Sequence, residues 1–128
     1  MIGYITTEQP SNLYISKCSF LNNRDYEVGL VELNMQSQSV VSFVDSNLTN
    51  NAGNALLYVQ LRSSNVNISL HGLHISNNKG SSVLRRGGLL SFRLLENNCT
   101  VNITKLVYTM NSFSRNGGGI FVTGFQAI

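Results

Sequence analysis

Acid–base, metal or nucleophilic chemistry in this chain would have to come from six carboxylates, two imidazoles and two thiols. The acids are Glu8, Asp25, Glu27, Glu32, Asp45 and Glu96. Hydrolysis of a glycosidic bond needs two of them facing each other within about 10 Å. Asp25 and Glu27 share one turn and suit a cation, yet two acids on an Asn-rich loop are ordinarily just solvated. His71 and His74 flank Gly72-Leu73. Two imidazoles bind zinc only when further ligands converge, and no third ligand is evident, so both read as half-exposed residues of a strand and turn. Gly80 and Gly87-Gly88 bracket Ser81, Ser82, Arg85 and Arg86. The spacing and the missing Lys-Ser/Thr ending do not fit a phosphate loop, and the segment reads as a solvated basic insertion. No residue is assigned a catalytic, cofactor-binding or metal-binding role, and the chain is not expected to be an enzyme.

The elements that hold these residues follow from composition. With 128 residues there is room for one core. Charged residues make up 12%, about half the usual share. In their place stand 17 Asn, 16 Ser and 7 Thr, residues of turns and solvated strand faces. The nine bases are scattered, with only Arg85-Arg86 and Arg93 close together, so a nucleic-acid partner is not expected. No apolar run approaches the roughly 20 residues that span a bilayer. Met1-Ile2-Gly3-Tyr4 does not open a secretion signal.

The chain repeats. Phe20-Leu21-Asn22-Asn23, Leu48-Thr49-Asn50-Asn51, Ile75-Ser76-Asn77-Asn78 and Phe113-Ser114-Arg115-Asn116 close four units, with 28, 27 and 38 residues between successive closing Asn. In that register Leu13, Val41, Ile68 and Leu106 align, as do Ile15, Phe43, Leu70 and Tyr108, and then Phe20, Leu48, Ile75 and Phe113. The residues between the first two columns are mostly polar, the two-residue period of a half-buried strand. A second apolar run follows each Asn pair: Leu30-Val31-Glu32-Leu33, Ala55-Leu56-Leu57-Tyr58-Val59, Leu89-Leu90-Ser91-Phe92 and Ile120-Phe121-Val122. The extra length of the third interval is expected in two insertions, Lys79 to Arg86 and Leu94 to Thr100.

Units of about 27 residues bury an apolar face only by stacking, which makes a solenoid of about four irregular coils. Strands stacked about 4.8 Å apart would let Asn22, Asn50 and Asn77 chain their amides into an inner ladder, broken by Arg115, and Asn23, Asn51, Asn78 and Asn116 into an unbroken outer one. The alternative is that Asn simply tolerates the left-handed turn conformation. No two acids share a column in adjacent coils. Cys18 and Cys99 fall about three coils apart, beyond the roughly 7 Å that a disulfide spans between Cα atoms.

These coils resemble the pectin-lyase-like right-handed parallel β-helix, in particular the repeats of polymorphic outer-membrane proteins. The resemblance rests on Phe-x-x-Asn at Phe20 to Asn23 and Phe113 to Asn116, and on Gly118-Gly119-Ile120, and covers residues 12 to 123. The rival horseshoe of leucine-rich repeats would need Leu-x-x-Leu-x-Leu-x-x-Asn, which is not found. The resemblance implies an all-β fold and a secreted or cell-surface scaffold that is adhesive or binds glycans or surface proteins. The alternative is part of a polysaccharide lyase or hydrolase with its catalytic coils elsewhere, although the family's acid clusters have no counterpart here.

Residues 1–128 are therefore read as one partial β-helix domain, a fragment whose partners include further β-coils of a parent chain. Any membrane attachment would come through flanking segments. Sequons at Asn47, Asn67, Asn98 and Asn102 suit glycosylation in a secretory pathway, but 17 Asn with 23 Ser and Thr give about three sequons by chance. Open solenoid ends expose unpaired strand edges, so poor solubility is expected.

Overall fold

The computed structural model describes residues 3–80, 89–96, 98–113 and 119–124. The alternating segments form strands, and each circuit of the chain supplies one strand to each of three faces. The first circuit is β1 (Gly3–Thr7), β2 (Ser11–Ser16) and β3 (Ser19–Leu21); the second is β4 (Arg24–Met35), β5 (Ser39–Val44) and β6 (Asn47–Thr49). The third is β7 (Ala52–Leu61), β8 (Asn67–His71) and β9 (His74–Ser76). In the fourth, β10 (Lys79–Gly80) and β11 (Leu90–Leu94) share one face, followed by β12 (Thr100–Thr104) and β13 (Val107–Thr109). β14 (Ser112–Phe113) and β15 (Ile120–Gly124) add a last layer to the first face. All pairings are parallel, with the orders β1-β4-β7-β10-β14, β2-β5-β8-β12 and β3-β6-β9-β13, and β11 bridges β7 to β15. The chain is an all-β solenoid of about four coils.

The core is a set of columns. On the second face Leu13, Val41, Ile68 and Val101 stack, beside Ile15, Phe43, Leu70 and Ile103. The short third face contributes Phe20, Leu48, Ile75 and Tyr108. The first face contributes Ile5, Leu33, Val59, Phe92 and Val122. In the middle coils these side chains are fully buried, each stabilising the fold by about 1.5–3 kcal/mol. Phe20 packs on Phe43 with ring centroids 5.9 Å apart.

The first three coils keep the register expected from the sequence, and the fourth does not. Val101, Ile103 and Tyr108 occupy the columns assigned to Leu106, Tyr108 and Phe113, a displacement of five residues. The closing motif is Tyr108-Thr109-Met110-Asn111, and Phe113 instead pairs with Gly80 on the first face. Thr100–Thr104 alternates β-branched residues with polar ones, and such a segment fits a half-buried strand better than a loop. Leu106 then turns inward at the corner where Leu73 does. With this register the third interval is 33 residues, Asn78 to Asn111, and its excess lies in one place. Gly53 to Leu57 spans four residues where Gly80 to Leu90 spans ten. Leu94 to Thr100 is no insertion, since it matches Leu61 to Asn67 residue for residue. Residues 81–88, which hold the Ser81, Ser82, Arg85 and Arg86 cluster, lie outside the described residues.

Candidate binding groove

Two residues turn the chain from the third face to the first in every coil. The first of them has a left-handed backbone: Asn22 (φ 58°), Asn50 (57°), Asn77 (54°) and Met110 (53°). In the first three its N–H donates to the next coil, Asn22 to Thr49 O, Asn50 to Ser76 O and Asn77 to Thr109 O, at 3.1–3.2 Å. These side chains point to solvent, and Asn50 Nδ2 donates to Asn22 Oδ1 at 2.6 Å.

The second residue, expected in the outer column, instead points inward and makes the ladder, so the two columns are reversed. Asn51 Oδ1 accepts from Asn23 N (3.0 Å) and Asn23 Nδ2 (2.8 Å), while Asn51 Nδ2 donates to Phe20 O (2.9 Å) and Asn78 Oδ1 (3.0 Å). Asn78 Oδ1 also accepts from Asn51 N at 2.9 Å, and Asn78 Nδ2 donates to Leu48 O at 2.8 Å. Asn78 N and Nδ2 reach Asn111 Oδ1 at 2.9 and 2.8 Å, and Asn111 Nδ2 returns to Ile75 O at 2.7 Å. Asn51 and Asn78 are 0% exposed, so an amide there is tolerated only because every polar atom of its side chain is paired. The fourth rung is Asn111, where the sequence pattern pointed to Asn116, which lies outside the described residues. Met110, rather than Arg115, is the residue that interrupts the outward Asn column.

This buried ladder fixes the surface above it. Leu21, Asn22, Thr49, Asn50, Asn77, Lys79, Met110 and Ser112 line a shallow groove of about 710 Å³ that runs across the coils. Thr49 Oγ1 and Ser76 Oγ lie 3.2 Å apart on adjacent rungs. The groove therefore offers amide and hydroxyl groups at the coil repeat of about 4.8 Å, with exposed Leu21 and Met110 as apolar contacts and Lys79 as its cation. A smaller depression of about 390 Å³ lies at another corner, between Pro10, Asn12, Gln38, Val40 and Asn65.

The titratable candidates do not gather at the groove. Glu32 Oε1 accepts from Gly29 N at 3.2 Å, Asp45 sits on the corner between the second and third faces, and Glu8 and Glu96 are exposed. Asp25 and Glu27 belong to β4 rather than to a turn, where the pairing with β7 shifts register between Arg24 and Tyr26 and again before Gly29; their side chains lie outside the described residues. His71 Nδ1 lies 2.7 Å from Thr104 Oγ1 at the end of β8, and His74 is exposed at the start of β9. Among the described residues no group of three or more His, Cys, Asp or Glu comes together. Cys18 and Cys99, in the first and fourth coils, form no disulfide, and their thiols donate to Ser16 O and Ser63 O at 3.3 Å. Burial raises the pKa of Tyr108, whose hydroxyl lies beside Gly119 near the coil-four end. Asn47, Asn67, Asn98 and Asn102 are all exposed.

Two features, one at each of two corners, had no sequence signal of the kind that marks a motif. Ser46, fully buried, accepts from Cys18 N and donates to Val44 O. Asn111 follows Met instead of a second Asn, which hid the fourth rung. Comparison with protein-family models, with curated proteins and with solved structures gives no match.

Proposed function

We propose that this chain is a non-catalytic scaffold displayed outside the cell, and that its Asn- and Thr-lined groove takes an extended, uncharged glycan. The observation that carries the reading is the groove itself, with repeated amide and hydroxyl groups held in line by a buried ladder. A polyhydroxylated chain both donates and accepts hydrogen bonds, and so do Asn and Thr side chains. Rungs held by stacked strands lose little freedom on binding, so the arrangement is preorganised. Four rungs span about 14 Å, enough for a short run of sugar units. The extracellular setting draws support from the exposure of all four sequon asparagines. Kinship with pectin-lyase-like β-helices belongs to the same proposal and rests on the apolar-x-x-Asn unit, which recurs at Phe20, Leu48, Ile75 and Tyr108.

The test is a screen of the chain against immobilised neutral and acidic glycans, followed by Asn50→Asp and Asn77→Asp. Asp tolerates the left-handed turn but removes the amide donor. Binding to neutral glycans that both variants weaken about tenfold is the expected result, each lost hydrogen bond counting for roughly 1–1.5 kcal/mol. No binding in the screen, or binding indifferent to both variants, sinks the reading.

A further inference from the structure

The asparagine ladder has a direction. At each rung the backbone N–H and Nδ2 of one Asn donate to Oδ1 of the Asn in the following coil, from Asn23 through Asn51 and Asn78 to Asn111. Among the described residues this leaves two complementary remainders. Asn23 Oδ1 has no donor at the coil-one end, and the backbone N–H of Asn111 has no acceptor at the coil-four end. A ladder with a donor end and an acceptor end is matched by a further rung in the same sense and not by a two-fold copy of itself.

The core columns end in the same way. Val41, Phe43, Ile68 and Leu70 are each 1% exposed. The residues that continue their columns, Leu13 and Ile15 above and Val101 and Ile103 below, are only half-buried. At the coil-four end Ile120 and Val122, which stack on Leu90 and Phe92, are 45% and 54% exposed. Among the described residues β2 and β3 at one end, and β12 and β13 at the other, have a strand partner on one edge only. Such edges pair with an added strand.

We propose that the coil-four end of one copy of this chain binds the coil-one segment of a second copy, residues 11–23, as its next layer. Continuing the observed register puts Leu13 of the second copy on Val101, Ile15 on Ile103 and Phe20 on Tyr108. It also brings Asn23 Oδ1 to the N–H of Asn111. The contact is head to tail and does not close, so it propagates into a chain of copies. One strand stands in its way. β1 lies on β4 in the layer that β15 of the neighbouring copy would fill. The two are interchangeable in pattern, Tyr4-Ile5-Thr6 against Phe121-Val122-Thr123, so docking of a whole second copy displaces β1 and β15 takes its place on β4. One feature opposes the contact: Lys17 of the second copy falls over Lys105. Both are exposed, so added salt strengthens the association by screening them.

A synthetic peptide of residues 11–23 tests the docking without the β1 exchange. The fluorescently labelled peptide is expected to bind the full chain more tightly at 0.5 M than at 0.05 M NaCl, and Asn23→Ala in the peptide to weaken it about tenfold, one buried hydrogen bond. Ile103→Lys in the full chain, which buries a charge at the contact, is expected to abolish binding, with far-UV circular dichroism showing that the coils remain. Sedimentation of the full chain then reads the exchange. Open-ended species that grow with concentration, faster for Ile5→Lys, which loosens β1, and not at all for Val122→Lys, support the proposal. A peptide that does not bind, binding that survives Ile103→Lys, a discrete dimer that grows no further, or a chain that stays monomeric throughout overturns it.

Discussion

Two corners of the solenoid turn the chain in the same way with different residues. At the corner between the third and first faces the left-handed positions are Asn22, Asn50, Asn77 and Met110; at the corner between the second and third they are Lys17, Asp45, Gly72 and Lys105. The backbones match, with φ of 46° to 66° throughout. At Lys17, Asp45 and Gly72 the N–H reaches the next coil's carbonyl, as it does at Asn22, Asn50 and Asn77. A left-handed turn therefore does not demand Asn, even though Asn favours it. What separates the corners is the residue that follows. Asn23, Asn51, Asn78 and Asn111 form a hydrogen-bonded column, whereas Cys18, Ser46, Leu73 and Leu106 form a mixed one that is half apolar. Ladder and turn geometry, alternative explanations of the Asn pairs, thus divide between the two members of each pair.

The sharpest way to break that division is to remove one member at a time. Asn51→Ala takes the side-chain partner from Phe20 O, Asn23 N and Asn23 Nδ2, while Asn78 Oδ1 keeps the backbone N–H of residue 51, and unmet buried groups cost roughly 1–3 kcal/mol each. A loss of about 3–5 kcal/mol is expected, taken from the midpoint of urea unfolding with the slope unchanged. Asn50→Ala removes one exposed bond and a residue suited to the turn, and is expected to cost only about 1 kcal/mol. Equal losses from the two would mean that the pair works as one unit.

The second corner has its own point of failure. A Cβ on Gly72 would run into the carboxylate of Asp45 in the coil above, and the backbone there is left-handed at φ 66°. Gly72→Ala is expected to cost about 2–3 kcal/mol, of which the backbone share is roughly 1 kcal/mol. Asp45→Ala combined with it should return the steric share, leaving about 1 kcal/mol and a favourable coupling in the double-mutant cycle. A full loss retained in the double variant would place the conflict in the backbone alone.

The solenoid could be read from the sequence where side-chain period and closing motif agreed, in the coils that end at Asn23, Asn51 and Asn78. There the alternation of Val41-Ser42-Phe43 or Ile68-Ser69-Leu70 sets the face, and a fixed ten residues separate its first apolar residue from the ladder Asn. The fourth coil misled because that ten-residue spacing fits twice, from Val101 to Asn111 and from Leu106 to Asn116, and Phe113 matched the motif better than Tyr108 does. Packing decided between them through Thr100–Thr104, whose value as a strand depends on the neighbouring β8. The groove was legible only in part: the repeat already put Asn22, Asn50 and Asn77 in one column, but not Met110 in its fourth place or Lys79 and Ser112 beside it. It is made by residues 21, 49, 77 and 110, which come together only once the coils are stacked.

Met110 tests whether the outward column is chosen for the turn. Its side chain is 79% exposed, so packing gives little reason for Met there, and its left-handed backbone is one that an ordinary L-residue adopts at a cost of roughly 1–2 kcal/mol. Asn at this position lowers that cost and puts an amide one rung from Asn77, the relation in which Asn50 reaches Asn22. Met110→Asn is therefore expected to raise stability by about 0.5–1 kcal/mol, measured by the same urea midpoint. A gain of that size from Met110→Gly as well would assign it to backbone conformation, because Gly supplies the turn without an amide. A gain from Asn alone would assign it to the amide, and the exposed column would then carry part of the ladder's work.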